Sequence, residues 1–423
     1  MTPCLPRRAA LALPAALAAP AIPRAQGAVA ITVHYPQPLA FKDSFDAIAA
    51  AFARAEPQIS VGFVTSPSYA EGAQQVLRQA VTDQLPDLSF QSFNLLRMFA
   101  ERGIAQDLAP LLTREGDPAA SGYTPPLLAL ARFAGIQAGL PYAASNAICY
   151  LNAELLRRAG FDRDALPADW DGHLALAGAV SQRVPGADGM WFAHSEWTFQ
   201  TLLYGHGGRM MREDESDIAF DGPEGLATMR LLARMPSEAR MPPLNPNAAV
   251  QALAAGRLGI HYRSTAVLAS IAQAVGRNFE LRTTVWPVVP GRPRQLAIGG
   301  AAGMLTARDP ARREAAWRFL RFATGAEGQA LMAMASGYVP CNQRTIDEPR
   351  WLAEFYRQNP LFRPAVEQMS AALPWFAFPG ANATRIALSI GRHVEQVLER
   401  DADPARVLAE MAADVRRLLR SRG

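Results

Sequence analysis

The chain has 423 residues, 50% of them apolar, 19% charged and 8% aromatic, which excludes intrinsic disorder and, at roughly 100–200 residues per domain, implies two or three domains. The formal charge of +4 lies mostly at the N-terminus: residues 1–27 hold Arg7, Arg8 and Arg24 and no acid, so removing them leaves +1. That balance provides no basic face for a nucleic acid.

Residues 1–27 read as a signal peptide. Pro6-Arg7-Arg8 precedes an apolar run from Ala9 to Ile22, and Ala25-Gln26-Gly27 supplies the small-x-small triplet that signal peptidase cuts. The run is interrupted by Pro14 and Pro20 and falls short of the roughly 20 residues a membrane helix needs. Export by the general route or, through the paired arginines, by the twin-arginine route places the mature chain in the periplasm. Cys4 would leave with the signal, and Cys149 and Cys341 read as two separate buried thiols.

Val29–Tyr35 is a β-rich run, and Phe41, Phe45, Ile48, Ala49 and Phe52 follow at helical spacing. Ile59–Val64 reads as a second strand, Ala73–Gln84 as a helix and Asp87–Phe90 as a third strand. This β-α-β-α-β order predicts a parallel sheet flanked by helices. A second unit opens with the apolar run Ala147–Leu151 and the helix Ala153–Ala159, ended by Gly160. Asp169 caps the next helix, Ile260-His261-Tyr262 reads as a strand, Asp309-Pro310 starts a helix to about Ala323, and Glu395–Leu419 closes the chain helically with a break near Pro404. No tether or low-complexity linker separates the units, which implies that the chain crosses between them more than once.

No phosphate loop, H-E-x-x-H, nucleophile elbow or C-x-x-C occurs, and the six histidines lack metal-ligand spacing. The residues therefore imply no catalysis, metal or cofactor. Four places have ligand-contact chemistry: the turn Ser66-Pro67-Ser68-Tyr69; the glycine-rich Ala297–Gly303; the stretch holding Trp191, Trp197 and Tyr204; and Ser336-Gly337-Tyr338 with Arg385. Each also has a plain structural reading as a tight turn, core aromatic or surface arginine.

The order of these features resembles one family. Leu140-Pro141-Tyr142 through Leu151-Asn152, Leu155–Gly160, Pro167 with Trp170, and Ala255-Gly256-Arg257-Leu258-Gly259-Ile260 are similar to the lobe-crossing and strand-entry segments of extracellular solute-binding proteins of carbohydrate-type ABC importers. The resemblance implies a two-lobed α/β periplasmic-binding-protein fold of type II, each lobe a mainly parallel sheet flanked by helices, with the ligand in the hinge cleft. The expected lobes are 28–142 plus about 263–300, and about 143–262 plus 301–423. A monomer that hands a small-molecule solute to an ABC permease is implied, with import by hinge closure.

Within the family, Ala297-Ile298-Gly299-Gly300-Ala301, Ser336–Pro340, Phe355–Pro360 and Pro374-Trp375-Phe376 resemble the members that bind glycerol 3-phosphate and glycerophosphodiesters. That resemblance implies a ligand set of Tyr69, Ser145, Ser264, Gly300, Tyr338 and Arg385, to which the aromatic reading adds Trp197. Phe90-Gln91-Ser92-Phe93 stands where those members have a glutamate, which changes the side that would read glycerol hydroxyls. An oligosaccharide or other polyol is the alternative solute. A sensory binding module and a secreted hydrolase are the more distant alternatives.

Overall fold

In a computed structural model the described residues are 28–162, 165–399 and 402–421; the expected signal peptide and Cys4 lie outside them. Alternation of apolar residues builds the first strand, Val29–Pro36, which pairs in parallel with Ile59–Ser66 and with Leu88–Ser92. The helix Pro38–Ala55 buries Phe41, Phe45, Ile48 and Phe52 against them, each full burial worth about 1.5–3 kcal/mol. Phe45 stacks on Tyr142 with ring centroids 5.0 Å apart.

Two sheets define two lobes. The first holds six strands: Val29–Pro36, Ile59–Ser66, Leu88–Ser92, Leu140–Ser145, Gly299–Leu305 and Val339–Pro340. The second holds four: Ala147–Asn152, Asp188–Phe192, Leu258–Ser264 and Leu281–Val285. The two-lobed α/β arrangement is the expected one, but the sheets are mixed rather than mainly parallel. Gly299–Leu305 returns from the second lobe and runs antiparallel to both its neighbours, and Ala147–Asn152 is antiparallel to both of its own.

The lobe boundaries also differ from the expectation. Leu281–Val285 belongs to the second sheet, while residues from Gly299 to the helices Pro310–Thr324 and Ala326–Ala335 belong to the first lobe, because Trp317, Phe319 and Leu320 bury themselves with Phe52 and Phe90. The closing helices Ala383–Glu399 and Pro404–Arg420 pack on the second lobe with Pro223–Ala239. The first of them starts well before Glu395, and Asp403 caps the second, accepting from Arg406 N. The helix expected from Ala73 begins at Tyr69 because Ser68 caps it, accepting from Glu71 N.

The chain crosses between lobes at Asn146, again between Val285 and Gly299, and a third time after Gln358. A short parallel pairing of Leu296–Ala297 with Ala372–Leu373 joins the last two crossings. Arg97 of the first lobe grips both carboxylate oxygens of Glu215 in the second, at 2.6 and 2.7 Å, and the turn at Gly337 touches Thr265 and Leu268. Both cysteines are free and buried, and burial pushes both thiols up. Asn382 is buried and donates to the carbonyls of Leu418 and Ser421, tying the last two helices together. No helix among the described residues is long and apolar enough to cross a membrane.

Candidate functional site

Strand ends from both sheets meet at a cavity of about 570 Å³ between the lobes, a volume suited to a small organic solute. The first lobe contributes Gln37, Tyr69, Ser92, Asn94, Ser145, Gly299, Gly300 and Tyr338 to its wall. The second contributes Trp191, His194, Glu196, Trp197, Arg263 and Ser264, together with one face of the Ala383–Glu399 helix. Trp375, from the last crossing, lines it too.

Six of the seven expected residues meet here: Tyr69, Ser145, Trp197, Ser264, Gly300 and Tyr338. Tyr338 is buried and stacks on Phe41 at 4.8 Å. Its hydroxyl neighbours that of Tyr69, which completes no hydrogen bond. The Trp197 Nε1 donor is likewise buried and unpartnered. Each such orphan costs about 1–3 kcal/mol, so the wall holds donors suited to a polar solute. Gly299 lets Ser145 and Trp197 converge, since a Cβ there would stand 2.7 Å from Ser145 Oγ and 3.2 Å from Trp197 Nε1. Ser264 Oγ caps the following turn, accepting from Ala266 N.

Arg385 is the exception. It is exposed, donates to Asn382 Oδ1 at 3.2 Å and does not line the cavity. On that helix the inward face presents Thr384, Leu388, Gly391, Arg392 and Glu395 instead, because the helical repeat turns position 385 away from it. Phe93, directly after the third strand, packs beside Gly300, while its neighbours Ser92 and Asn94 face the cavity.

Glu196 carries the most perturbed carboxyl of the wall. It sits in the first turn of the helix Glu196–Gly205, capped by Ser195, where the helix dipole favours a charge by about 0.3–1 kcal/mol. Burial outweighs that: the side chain is 4% exposed, and although Trp375 Nε1 donates to it at 2.9 Å, its pKa is pushed up to about 7. Gln200, with its amide oriented to satisfy its neighbours, donates to the other carboxylate oxygen at 3.2 Å and accepts from Phe376 N. The folded-state value lies above the ordinary 4.5, so this group's contribution to stability is fully present below about pH 4.5 and is lost as pH rises through about 7. Glu196→Gln should therefore gain about 3 kcal/mol on wild type between about pH 5 and pH 8 in urea denaturation. Parallel pH profiles for the two proteins would contradict the assignment.

The profile of the bacterial extracellular solute-binding protein family matches residues 47–363. The chain belongs to that family. No curated protein matches this solute-binding protein by sequence. Its fold is shared with UgpB from Mycobacterium tuberculosis, solved in complex with glycerophosphocholine, at TM-score 0.81 and 21% identity over 92% of this chain and 98% of the other. The cyclic α-maltosyl-1,6-maltose binding protein from Arthrobacter globiformis superposes at 0.77 and 21% identity, over 93% and 99%. An ABC substrate-binding protein from Listeria monocytogenes, in complex with cycloalternan, does so at 0.81 and 16%, over 92% and 98%. Members of this family are non-catalytic receptors.

The charged wall residues of this solute-binding protein, Glu196, Arg263, Arg392 and Glu395, all escape a sequence reading. Glu196 is flanked by Trp197, and Arg263 is the penultimate residue of an otherwise uncharged strand, Leu258–Ser264. A charged residue near the end of a buried strand, or set against an indole, is the signal that would have found Arg263 and Glu196.

Proposed function

We infer that this protein is the periplasmic receptor of an ABC importer and captures glycerol 3-phosphate or a glycerophosphodiester for delivery to a membrane permease. The observation that carries this reading is the convergence of four hydroxyls, Tyr69, Ser145, Ser264 and Tyr338, with Gly300 in one interlobe cavity. Hydroxyl and backbone donors suit phosphate oxygens, each charge-assisted bond contributing about 1.5–3 kcal/mol net. Ser92 and Asn94 stand where polyol hydroxyls would be read. A solute touching both lobes favours the closed form by its differential affinity, which couples capture to hinge closure.

A neutral oligosaccharide is the second reading. It is favoured by the Trp197 and Trp375 rings, whose centroids lie 6.3 Å apart in the cavity wall, because indole faces pack well on sugar surfaces. The Arthrobacter and Listeria neighbours are described with cyclic oligosaccharides.

A thermal-shift panel separates the two, since a solute that binds only the folded protein raises its melting temperature. Glycerol 3-phosphate and glycerophosphocholine should raise it by several degrees at about 1 mM, and maltose and trehalose should not. Shifts with the neutral sugars alone would overturn the phosphate reading.

A further inference from the structure

The cavity wall contains a guanidinium with no protein counter-charge. Arg263 is the penultimate residue of the strand Leu258–Ser264 and is half-buried. Its one hydrogen bond is a long contact from Nη1 to the Pro246 carbonyl, 3.4 Å. Among the described residues no carboxylate pairs with it, in contrast to the arginines that pair with Glu or Asp around the surface. Burial lowers its pKa, and the Tyr150 hydroxyl opposes that shift.

An arginine does not escape such a position by losing its proton. A cation taken partly out of water without an anion is destabilising unless something that binds there supplies the charge. Two acids share the cavity wall, and neither is placed to do so. Glu196 is engaged by Trp375 and Gln200, and Glu395 lies on the closing helix with interactions of its own. Trp191, His194, Pro246 and Ser264 line the same cavity, and Trp191 is fixed by its Nε1 bond to the Leu244 carbonyl at 2.9 Å. The arginine thus lines the cavity with only one of its donors engaged, and that one at 3.4 Å.

We propose that Arg263 is the specificity-determining cation of the cleft, receiving an oxyanion, phosphate or carboxylate, of the bound solute, and that it supplies the charge which Arg385 does not bring to the cavity. The proposal rests on the cleft being the solute site, as inferred above, but not on the solute being a phosphoglycerol. The planar fork matches two oxygens at once, which a lysine does not.

Isothermal titration of the purified protein with glycerol 3-phosphate, glucuronate and maltose tests it in wild type, Arg263→Gln, Arg263→Lys and Arg385→Ala. The anionic solute that wild type binds should be weakened about 30-fold or more by Arg263→Gln and by a smaller factor by Arg263→Lys, and should stay within about twofold in Arg385→Ala. Melting of the solute-free variants reports folding, and removal of an uncompensated charge should not lower it. If glycerol 3-phosphate fails and glucuronate binds in an Arg263-dependent way, this proposal stands and the phosphoglycerol reading falls. If glycerol 3-phosphate binds Arg263→Gln as tightly as wild type, the phosphoglycerol reading stands and this proposal falls. Binding of maltose alone overturns both.

Discussion

Gly300→Ala is expected to destabilise the first lobe by about 3–5 kcal/mol and to abolish solute binding. Gly300 has φ +131°, a conformation that side-chain-bearing residues adopt at about 1–3 kcal/mol of strain. A Cβ added there would overlap the Ala143 carbonyl and press on the Phe93 ring, adding an overpacking cost of about 1–3 kcal/mol. The overlap cannot be relieved by a rotamer, because the obstacle is backbone of the adjacent strand, paired through Gly300 and Ala144. The same shift would move the Gly300 N–H out of the cavity wall. Urea denaturation and titration with glycerol 3-phosphate check both parts; a variant within about 1 kcal/mol of wild type would mean that the strand relaxes freely there.

Gly337→Ala should act differently, on the lobes' approach rather than on the fold. Gly337 belongs to the first lobe, and a Cβ there would overlap the Thr265 carbonyl and stand 2.5 Å from Leu268 Cβ, both of the second lobe. Its backbone is not in the left-handed region, so the substitution brings no intrinsic strain. The lobes can avoid the clash by staying apart, which preserves solute-free melting and penalises the closed form. If closure loses about 3 kcal/mol, the apparent affinity falls about 100-fold. Titration, together with small-angle scattering that reports a larger radius with solute than wild type shows, is the check. Unchanged affinity would show that the bound form does not depend on the close contact of this turn with Thr265.

These two glycines illustrate what the sequence makes legible. Both lie in segments singled out from sequence, Ala297–Gly303 and Ser336–Pro340, but only the positions of Ala143 and Thr265 reveal why a side chain is excluded. Strands and helices with strong periodicity, such as Val29–Pro36 and the run through Phe41, Phe45 and Phe52, are readable because burial alone sets their spacing. The lobe boundaries are less so. Whether Leu281–Val285 joins the first or second sheet depends on a pairing with Ala147–Asn152 across more than a hundred residues, which local pattern does not encode.

The site divides in the same way. Tyr69, Ser145, Ser264, Gly300 and Tyr338 follow from the family resemblance and Trp197 from its aromatic stretch, and all six lie at strand ends, turns and a helix start, the places where open α/β sheets bind ligands. Arg385 lies within a helix, where a shift of one residue turns a side chain by about 100°; Thr384 faces the cavity and Arg385 does not. Arg263 and Glu196 draw their character from burial and from missing or engaged partners, properties that exist only once both lobes are in place.

The most direct measurement is a crystal structure of the protein with glycerophosphocholine. The phosphodiester is expected between the lobes, its oxygens within about 3 Å of Tyr338, Ser145, the Gly300 N–H and the Arg263 guanidinium. A ligand bound outside the interlobe cavity, or inside it with its phosphate facing Trp375 and away from these groups, would contradict it.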